Sequence, residues 1–303
     1  MPLLLVIITA LLTTAGFFSQ FGLIFDLTAH FRVQYLALQI ICILLCLFKK
    51  RWKLFLVTCP FALSNLVVIL PLYLKPPKIT TVQNQNLSIL LINLNSRNTR
   101  YQETMDYIKQ KDPDILALEE INTQWITKLK PVLEQYPHYQ EIPRKDNFGI
   151  VLYSKFKPKN MLTKYYGTIE VPSIVAEYQF QEEPITLLFT HPVPPGTEQY
   201  FKWRNEQLQD IIDNRSAFSK KMILIGDLNT TSWSYTFQNF VKKMNLIDTR
   251  KGFGLQTTWP SMLPLMRITI DHILVSEKIQ TTKREVGPHI GSDHYPVYIE
   301  VMF

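Results

Sequence analysis

The stretch at residues 223–234, ILIGDLNTTSWS, strongly constrains how this chain can fold. The apolar run at residues 222–225 is typical of a buried strand, and it ends at Gly226 before two short polar side chains, Asp227 and Asn229. Alternate residues of a strand point to the same side, so the acid and the amide are expected to converge at the strand's C-terminal end. Ligands of α/β sheets usually bind at that end, and such oxygens suit Mg²⁺ with a phosphate beside it. Taken alone, the same residues also fit a simple turn.

The composition of the chain changes sharply between residues 74 and 86. Residues 1–74 consist mostly of Leu, Ile, Val, Phe and Ala, whereas charged and apolar residues mix in a globular manner from residue 86 onward. Residues 1–85 hold seven basic residues and one acid, which leaves 25 of the 32 basic and 24 of the 25 acidic residues for the rest. The positive net charge therefore belongs to the apolar part and does not indicate a nucleic-acid-binding surface.

Three apolar segments, at residues 3–18, 31–48 and 54–74, have nearly the length of membrane-spanning helices. The second is short and carries Arg32 near its start, where the long side chain could reach the lipid head groups. We predict a membrane anchor of three transmembrane helices at residues 1–74 and an extended linker at residues 75–85, which is rich in proline and polar residues. A cleaved signal peptide is the alternative for the first segment, but it lacks a basic start and two more apolar segments follow.

The charges between the apolar segments predict their orientation. The loop at residues 49–53, KKRWK, is strongly basic and is expected in the cytoplasm, whereas the loop around Asp26 is not basic. This puts residues 86–303 outside the cytoplasm, although Lys75 and Lys78 argue weakly for the opposite. All three cysteines lie in the apolar segments, so residues 86–303 offer no disulfide or cysteine ligand, which is compatible with an oxidising compartment.

Residues 86–303 repeat the pattern of an apolar strand that ends in polar residues. Strands are predicted at residues 87–95, 115–118, 148–154, 185–190, 270–276 and 291–301, and helices at residues 100–111, 123–135 and 235–244. The polar residues at or beside these strands are Asn93 and Asn95, Glu119 and Glu120, His191, Asp271 and His272, and Asp293 and His294. Because neighbouring strand residues face opposite ways, only one of the two glutamates can be a ligand. Each of these groups alone also fits an ordinary loop or surface.

Together, these groups resemble the endonuclease/exonuclease/phosphatase superfamily, whose members include apurinic endonucleases, pancreatic-type deoxyribonuclease, inositol-polyphosphate 5-phosphatases and neutral sphingomyelinases. The resemblance covers residues 86–303 and rests on a spaced set in the family's order: Asn, Glu, His, Asp-x-Asn, Asp and Ser-Asp-His. The sequences HPVPP, GDLNTTSWS, TTWP and GSDH further resemble a bacterial branch with membrane-anchoring helices. The resemblance implies a four-layer α/β sandwich of two mainly antiparallel sheets with helices outside, held at a bacterial plasma membrane.

The resemblance also implies a metal site and a role for each polar residue. Mg²⁺, or Mn²⁺ in its place, would be bound by Asn93, Glu120 and Asp293, with Asn95 as a candidate support. Glu119 stands where glutamine is usual, and its charge would tighten the metal or repel an anionic substrate. Catalytic roles would fall to Asp227, which orients or deprotonates water; Asn229, which holds a phosphate oxygen; His294, fixed by Asp271; and His191, which assists the leaving oxygen.

The expected function is therefore metal-dependent phosphoester hydrolysis, most simply by a phosphodiesterase or nuclease outside the cytoplasm. The alternative is a phosphoesterase for lipid or inositol-phosphate head groups, which membrane anchorage would favour through effective concentration. A binding domain without activity is disfavoured because every expected polar position is filled. A nuclease needs basic or aromatic side chains along its substrate, and the candidates, which also fit an ordinary solvated surface, are Arg97, Arg100, Lys202, Trp203 and Arg204. The near-neutral charge favours small or single-stranded phosphodiesters, and no protein partner is predicted.

Overall fold

The computed structural model describes residues 2–75, 86–180 and 183–303. Residues 76–85, nearly all of the predicted linker, lie outside this part, so the linker stays a prediction. The described strands are β1 (Asn86–Asn93), β2 (Ile115–Glu119), β3 (His138–Ile142), β4 (Ile150–Ser154), β5 (Asn160–Tyr165), β6 (Pro172–Phe180), β7 (Glu183–Thr190), β8 (Lys221–Asp227), β9 (Leu246–Asp248), β10 (Asp271–Ser276), β11 (Gln280–Val286) and β12 (Val297–Met302). The described helices are α1 (Pro2–Gly16), α2 (Leu23–Ala29), α3 (Arg32–Phe48), α4 (Trp52–Ile69), α5 (Tyr101–Lys111), α6 (Thr123–Leu133), α7 (Glu198–Asp213) and α8 (Tyr235–Met244).

The strands form two six-stranded sheets, in the orders β11-β12-β1-β2-β4-β3 and β5-β6-β7-β8-β10-β9. In each sheet the central pair, β1–β2 or β7–β8, is parallel, and the other pairings are antiparallel. A parallel pair needs a crossover connection, which α5 supplies in the first sheet and α7 in the second. The C-terminal ends of each central pair therefore lie at the same edge of their sheet.

The apolar side chains fill three layers between and outside the sheets. Ile89 and Leu91 of β1 point into the core between the two sheets, while Leu90 and Ile92 point outward under α5 and α6. The second sheet is covered in the same way by α7 and α8. Since both faces of the central strands are buried, their sequences are continuously apolar. The predicted four-layer α/β sandwich is confirmed, with two mixed, mainly antiparallel sheets.

Three helices, α1, α3 and α4, occupy the three segments predicted to span a membrane, and α2 lies between the first two. The stretch Trp52–Leu72 is 21 residues long with a mean hydropathy of 2.1, and it is long and apolar enough to cross a bilayer. α2 and α3 qualify only if they count as one span with a bend of 63°, and the first apolar helix, Leu3–Gly16, is shorter. Within the described residues, one helix, or two at most, meets the length and composition of a span, so three transmembrane helices are not confirmed.

Arg32 does not reach outward from the helices, so that prediction was wrong. Its side chain is buried among α1, α3 and α4, where it donates to the Thr13 carbonyl oxygen at 2.8 Å and to Asn65 Oδ1 at 3.3 Å. The guanidinium also lies 3.9 Å from the centre of the Phe17 ring. Gln39 and Asn65 both donate to Thr13 Oγ1 at 3.0 Å. The helices are thus joined by a buried polar network, because polar groups in apolar surroundings bond to one another.

A buried ion pair ties the amino-terminal helices to the sandwich. Asp26 of α2 accepts a hydrogen bond from Arg204 Nη2 at 2.9 Å, and both side chains are fully buried. Arg204 Nη1 also donates to the backbone oxygen of Asn229 at 3.0 Å. Arg204 is therefore not a solvated surface residue that could follow a nucleic acid backbone. Buried charges of this kind persist only when they are paired.

Further contacts extend this interface. The Leu72 carbonyl oxygen, just beyond α4, accepts hydrogen bonds from the backbone of Gly252 at 2.8 Å and Gly254 at 2.9 Å. His30 Nδ1, just beyond α2, lies 3.0 Å from Thr231 Oγ1. The helices are docked on the sandwich, so they do not act as a distant tether with a domain that reaches away from them.

We expect Asp26→Asn to lower the free energy of unfolding by about 3–5 kcal/mol, because Arg204 would keep a buried charge without a counter-charge. Unfolding of the full chain in detergent, followed by circular dichroism, measures the change. Glu206→Gln removes an exposed carboxylate from the same helix as Arg204 and should change stability by less than about 0.5 kcal/mol. Equal small effects of both substitutions would show that the ion pair does not hold the two parts together.

Candidate active site

Polar residues gather where the central strands of both sheets end. β1 ends at Asn93, β2 at Glu119 and β8 at Asp227, and His191 follows β7. The two sheets meet at this edge, because the backbone N–H of Asp227 donates to Glu119 Oε1 at 2.9 Å. β10 runs antiparallel to β8, so its first residue, Asp271, pairs with Asp227. The strand-end pattern in the sequence therefore locates one site at one edge of the sandwich.

The residues just beyond the strands leave the extended conformation. Asn229 has a φ of 50° and its backbone N–H donates to Asp227 Oδ1 at 2.8 Å. Asn95, with a φ of 54°, donates in the same way to Asn93 Oδ1 at 3.1 Å. Asn tolerates this left-handed backbone, and Asp and Asn side chains favour such turns. Asp227 and Asn229 do meet at one cavity, but a turn produces this convergence rather than strand alternation.

The two adjacent glutamates occupy different depths of the site. Glu120 has a φ of 54° and lines the cavity, whereas Glu119 is fully buried beneath it. Gly226 of β8 leaves room for this side chain, since a Cβ there would lie 3.1 Å from Glu119 Oε1; it would also lie 1.9 Å from the Thr190 carbonyl oxygen of the neighbouring strand β7. Burial raises the pKa of Glu119 well above its ordinary value, and Asp227 adds to the effect. This shift favours the neutral acid and so opposes the extra negative charge expected from the sequence.

His294 is the cation of the site. Its Nδ1 lies 3.0 and 3.1 Å from the two oxygens of Asp271, and its Nε2 lies 3.8 Å from Asp227 Oδ2. Burial opposes the charge, but the neighbouring carboxylates, Asp271 first, raise the pKa of His294 to about 10. His294 is therefore an imidazolium at neutral pH whose Nε2–H points towards Asp227. The same contact holds the pKa of Asp271 below its ordinary value despite its burial.

His294 and Asp293 lie in a loop rather than in a strand, in contrast to the predicted strand at residues 291–301. β12 begins only at Val297, because the backbone N–H of His294 donates to Ser292 Oγ at 3.0 Å and forms a local turn instead. This loop is fixed by Ser261, whose backbone N–H donates to the Asp293 carbonyl oxygen at 2.7 Å.

Asp227 and His191 form the other half of the catalytic set. Burial and the nearby Asp271 raise the pKa of Asp227 to about 8, although His294 opposes this. His191 Nε2 lies 3.9 Å from Asp227 Oδ2, and burial lowers the pKa of His191 to about 3, so its ring is neutral. Its Nδ1 has no hydrogen-bond partner among the described residues. A neutral imidazole can donate a hydrogen bond but does not carry a spare proton.

Two of the predicted metal ligands, Glu120 and Asp293, line the same cavity, and the third, Asn93, contacts Glu120. Asn93 Nδ2 donates to Glu120 Oε1 at 3.1 Å. Asp293 accepts from Asn95 Nδ2 at 2.7 Å through one oxygen and from Trp259 Nε1 at 3.1 Å through the other. The predicted support by Asn95 is thus in place, directed at Asp293. Trp259 was not identified as a site residue, although it lies within the TTWP sequence that carried the resemblance.

A hard divalent cation fits this donor set. In the described part of the chain, no lysine or arginine forms an ion pair with Glu120, Asp227 or Asp293, so three carboxyl groups around one cavity lack a full counter-charge. Oxygen ligands of this kind are those that Mg²⁺ and Mn²⁺ prefer. Asp227, Asp271 and His294 also bring donor atoms within 4.8 Å of one another. His294 is a poor ligand, however, because Asp271 keeps it protonated.

The site opens into a cavity of about 970 Å³ that residues from the amino-terminal part of the chain help to line. Leu27 and His30 of the amino-terminal part line it, alongside exposed Arg97 and Lys145. No local sequence signal could have placed Leu27 and His30 there, since they follow an apolar segment far from the catalytic residues in the chain. Of the five candidate nucleic-acid contacts, Arg97 alone is among the residues that line this cavity.

Known proteins share this fold. The profile of the Endonuclease/Exonuclease/phosphatase family matches residues 90–294. TDP2 of D. rerio complexed with single strand DNA product has a TM-score of 0.59 and 17% identity, covering 72% of this chain and 99% of that one. A mannosyl-6-phosphatase of Bacteroides thetaiotaomicron VPI-5482 has a TM-score of 0.59 and 19% identity, covering 72% and 100%. At these identities the likeness concerns the fold, and a search of curated proteins finds no match.

In protein freed of metal by a chelator, we expect stability to fall between about pH 8 and 9.5, by up to about 1.4 kcal/mol per pH unit. Folding raises the pKa of His294 to about 10, so its contribution is complete below about pH 6.5 and is lost as the pH rises towards 10. Asp271→Asn should flatten this slope, because it lowers the pKa of His294 and of Asp227 together. Urea unfolding at several pH values measures the slope, with the exposed Asp106→Asn as control. An unchanged slope in Asp271→Asn would contradict the conclusion that Asp271 keeps His294 charged.

Proposed function

This chain belongs to the endonuclease/exonuclease/phosphatase family of phosphoester hydrolases, and we propose that it is a membrane-anchored phosphodiesterase whose active site lies outside the cytoplasm. The observation that carries the proposal is the position of His294 between Asp271 and Asp227, in a cavity that Glu120 and Asp293 also line. A proton acceptor for water, a fixed cation for the phosphoryl oxygens and carboxylates that can hold a divalent ion suit the hydrolysis of a phosphodiester.

Divalent metal dependence is a property of this family, and we assign the ion as Mg²⁺, with Mn²⁺ as a substitute. Glu120, Asn93 and Asp293 would hold it, with Asn95 and Trp259 orienting Asp293. When bound, such an ion neutralises charge that develops on the phosphoryl oxygens.

The remaining residues act on the substrate and on water. The His294 imidazolium donates from Nε2 to a phosphoryl oxygen, and Asp271 holds the ring in place. Asp227 orients the attacking water and accepts its proton; burial raises its pKa to about 8, which makes the ionised carboxylate a stronger base. Asn229 uses one N–H to bond the Pro192 carbonyl oxygen at 2.9 Å and keeps another for a phosphate oxygen. His191 donates a hydrogen bond to the leaving oxygen as a neutral imidazole.

The docking of the helices supports the proposed orientation. Asp26, in the non-basic loop between the first two predicted spans, and Leu72, after α4, both contact the sandwich. These two points belong to the same membrane face in the predicted topology, whereas the basic loop at residues 49–53 belongs to the other. We therefore propose a plasma-membrane location with the catalytic domain outside.

Fusions test the orientation. A C-terminal alkaline phosphatase should be active and a C-terminal green fluorescent protein dark, because the basic loop at residues 49–53 stays in the cytoplasm. The same two reporters fused after residue 50 should give the opposite result and serve as control. The reverse pattern at the C-terminus would place the site in the cytoplasm.

Two substitutions test the catalytic assignment on bis(p-nitrophenyl) phosphate with Mg²⁺ or Mn²⁺. Asp271→Asn should leave metal affinity nearly unchanged but slow hydrolysis about 100-fold or more, because His294 loses the charge that supports it. Glu120→Ala should weaken metal binding, so that part of the activity returns at high Mg²⁺. Calorimetry measures metal affinity, with Asp106→Asn as control. If Asp271→Asn abolished metal binding and Glu120→Ala did not, the two roles would have to be exchanged.

A further inference from the structure

An exposed apolar loop projects beside the active-site cavity. Residues 262–266, MLPLM, are named here the apolar lip. Met262 is 75% exposed and Leu265 87% exposed, and Leu263 and Met266 are also on the surface. Neighbouring large apolar side chains at such exposure are unfavourable in water and mark a surface that contacts a partner or a membrane.

The apolar lip connects two residues that line the cavity. These residues are Trp259 and Ile268. Their backbones pair through hydrogen bonds of 3.0 and 2.6 Å. Trp259 in turn donates to Asp293 in the proposed metal site. Whatever the lip contacts is therefore held at the rim of the cavity.

The apolar lip is also bound to the amino-terminal helices. Gln34, in the first turns of α3, donates from Nε2 to the carbonyl oxygens of Leu265 at 3.2 Å and Arg267 at 3.3 Å. Ile24 of α2 is 75% exposed, and Leu27 of the same helix lines the cavity. Exposed apolar side chains are thus found both on α2, which borders the cavity, and on the apolar lip, which α3 contacts.

The cavity itself suits an anionic group. Exposed Arg97 and Lys145 line it together with the proposed metal ligands, and both can attract a phosphodiester. A groove for a long nucleic acid has less support, because Lys202 and Trp203 are not among the cavity residues and Arg204 is buried against Asp26.

We propose that the apolar lip and α2 rest in the interfacial layer of the membrane, so that the cavity takes the phosphodiester head group of a lipid that stays in the bilayer. The inference rests on the proposed function and names its substrate class. The lip shields the cavity mouth from water, the anchoring helices fix its height above the bilayer, and Arg97 and Lys145 receive the head group as it rises.

The test uses the full chain in nanodiscs of phosphatidylglycerol, phosphatidylethanolamine, phosphatidylinositol or phosphatidylcholine. Each lipid is compared with its deacylated glycerophosphodiester, presented to the chain in detergent, and single-stranded DNA and bis(p-nitrophenyl) phosphate complete the panel. We expect at least one bilayer lipid to be hydrolysed about tenfold or more faster than its deacylated form and than the DNA. Hydrolysis of bis(p-nitrophenyl) phosphate alone, or fastest hydrolysis of DNA, would overturn the inference and leave the proposed function intact. No hydrolysis of any phosphodiester in the panel would overturn both.

A lip variant in which Met262, Leu263, Leu265 and Met266 are all replaced by Ser tests the surface itself. Its rate on the bilayer lipid should fall about tenfold or more while its rate on bis(p-nitrophenyl) phosphate stays within about twofold, because the four side chains lie outside the cavity. Leu265→Asp alone, at a side chain that folding leaves exposed, should give the same selective loss. Leu162→Ser, an exposed apolar residue of β5, is the matched control. An unchanged lipid rate in both lip variants would overturn the inference.

Discussion

The site depends on the placement of three buried carboxyl groups around one imidazole. Glu119, Asp227 and Asp271 are nearly inaccessible to water, and His294 is the single charged cation among them. Three carboxylates cannot all be ionised at this burial beside one positive charge. His294 lowers the pKa of Asp271 and so favours its ionised form, whereas burial raises the pKa of Glu119 and raises that of Asp227 to about 8. The excess of acidic groups over cations therefore favours the binding of a further cation in the cavity.

The architecture of the sheets creates this crowding. Each sheet has its parallel pair in the centre, and the crossovers through α5 and α7 bring both strand ends of a pair to the same edge. Face-to-face packing then brings the two edges together, and Gly226 of β8 leaves room there for Glu119 of the other sheet. The apolar layers on both sides of the central strands provide the stability that offsets the cost of burying so many acids.

Most strands and most candidate site residues could be predicted from the sequence. A continuous apolar run that ends in Asn, Asp, Glu or His indicates both a buried strand and the polar residue at its end. The prediction failed in two physical situations. Short turns, such as those at Asn229 and Ser292, are governed by local side-chain hydrogen bonds that strand periodicity does not encode. Pairings between distant parts of the chain, such as Asp26 with Arg204, look like an ordinary loop acid and an ordinary surface base until the fold brings them together.

The amino-terminal helices are consequently part of the site as well as a candidate anchor. Arg204 bonds Asp26 with one side of its guanidinium and the Asn229 backbone with another, so the position of α2 and the turn that carries a substrate-binding amide are mechanically joined. The loss of α2 would remove the counter-charge from Arg204 and two walls of the cavity, Leu27 and His30. Residues 86–303 hold every predicted catalytic side chain, yet the geometry of the site is completed by residues that composition alone assigns to the membrane.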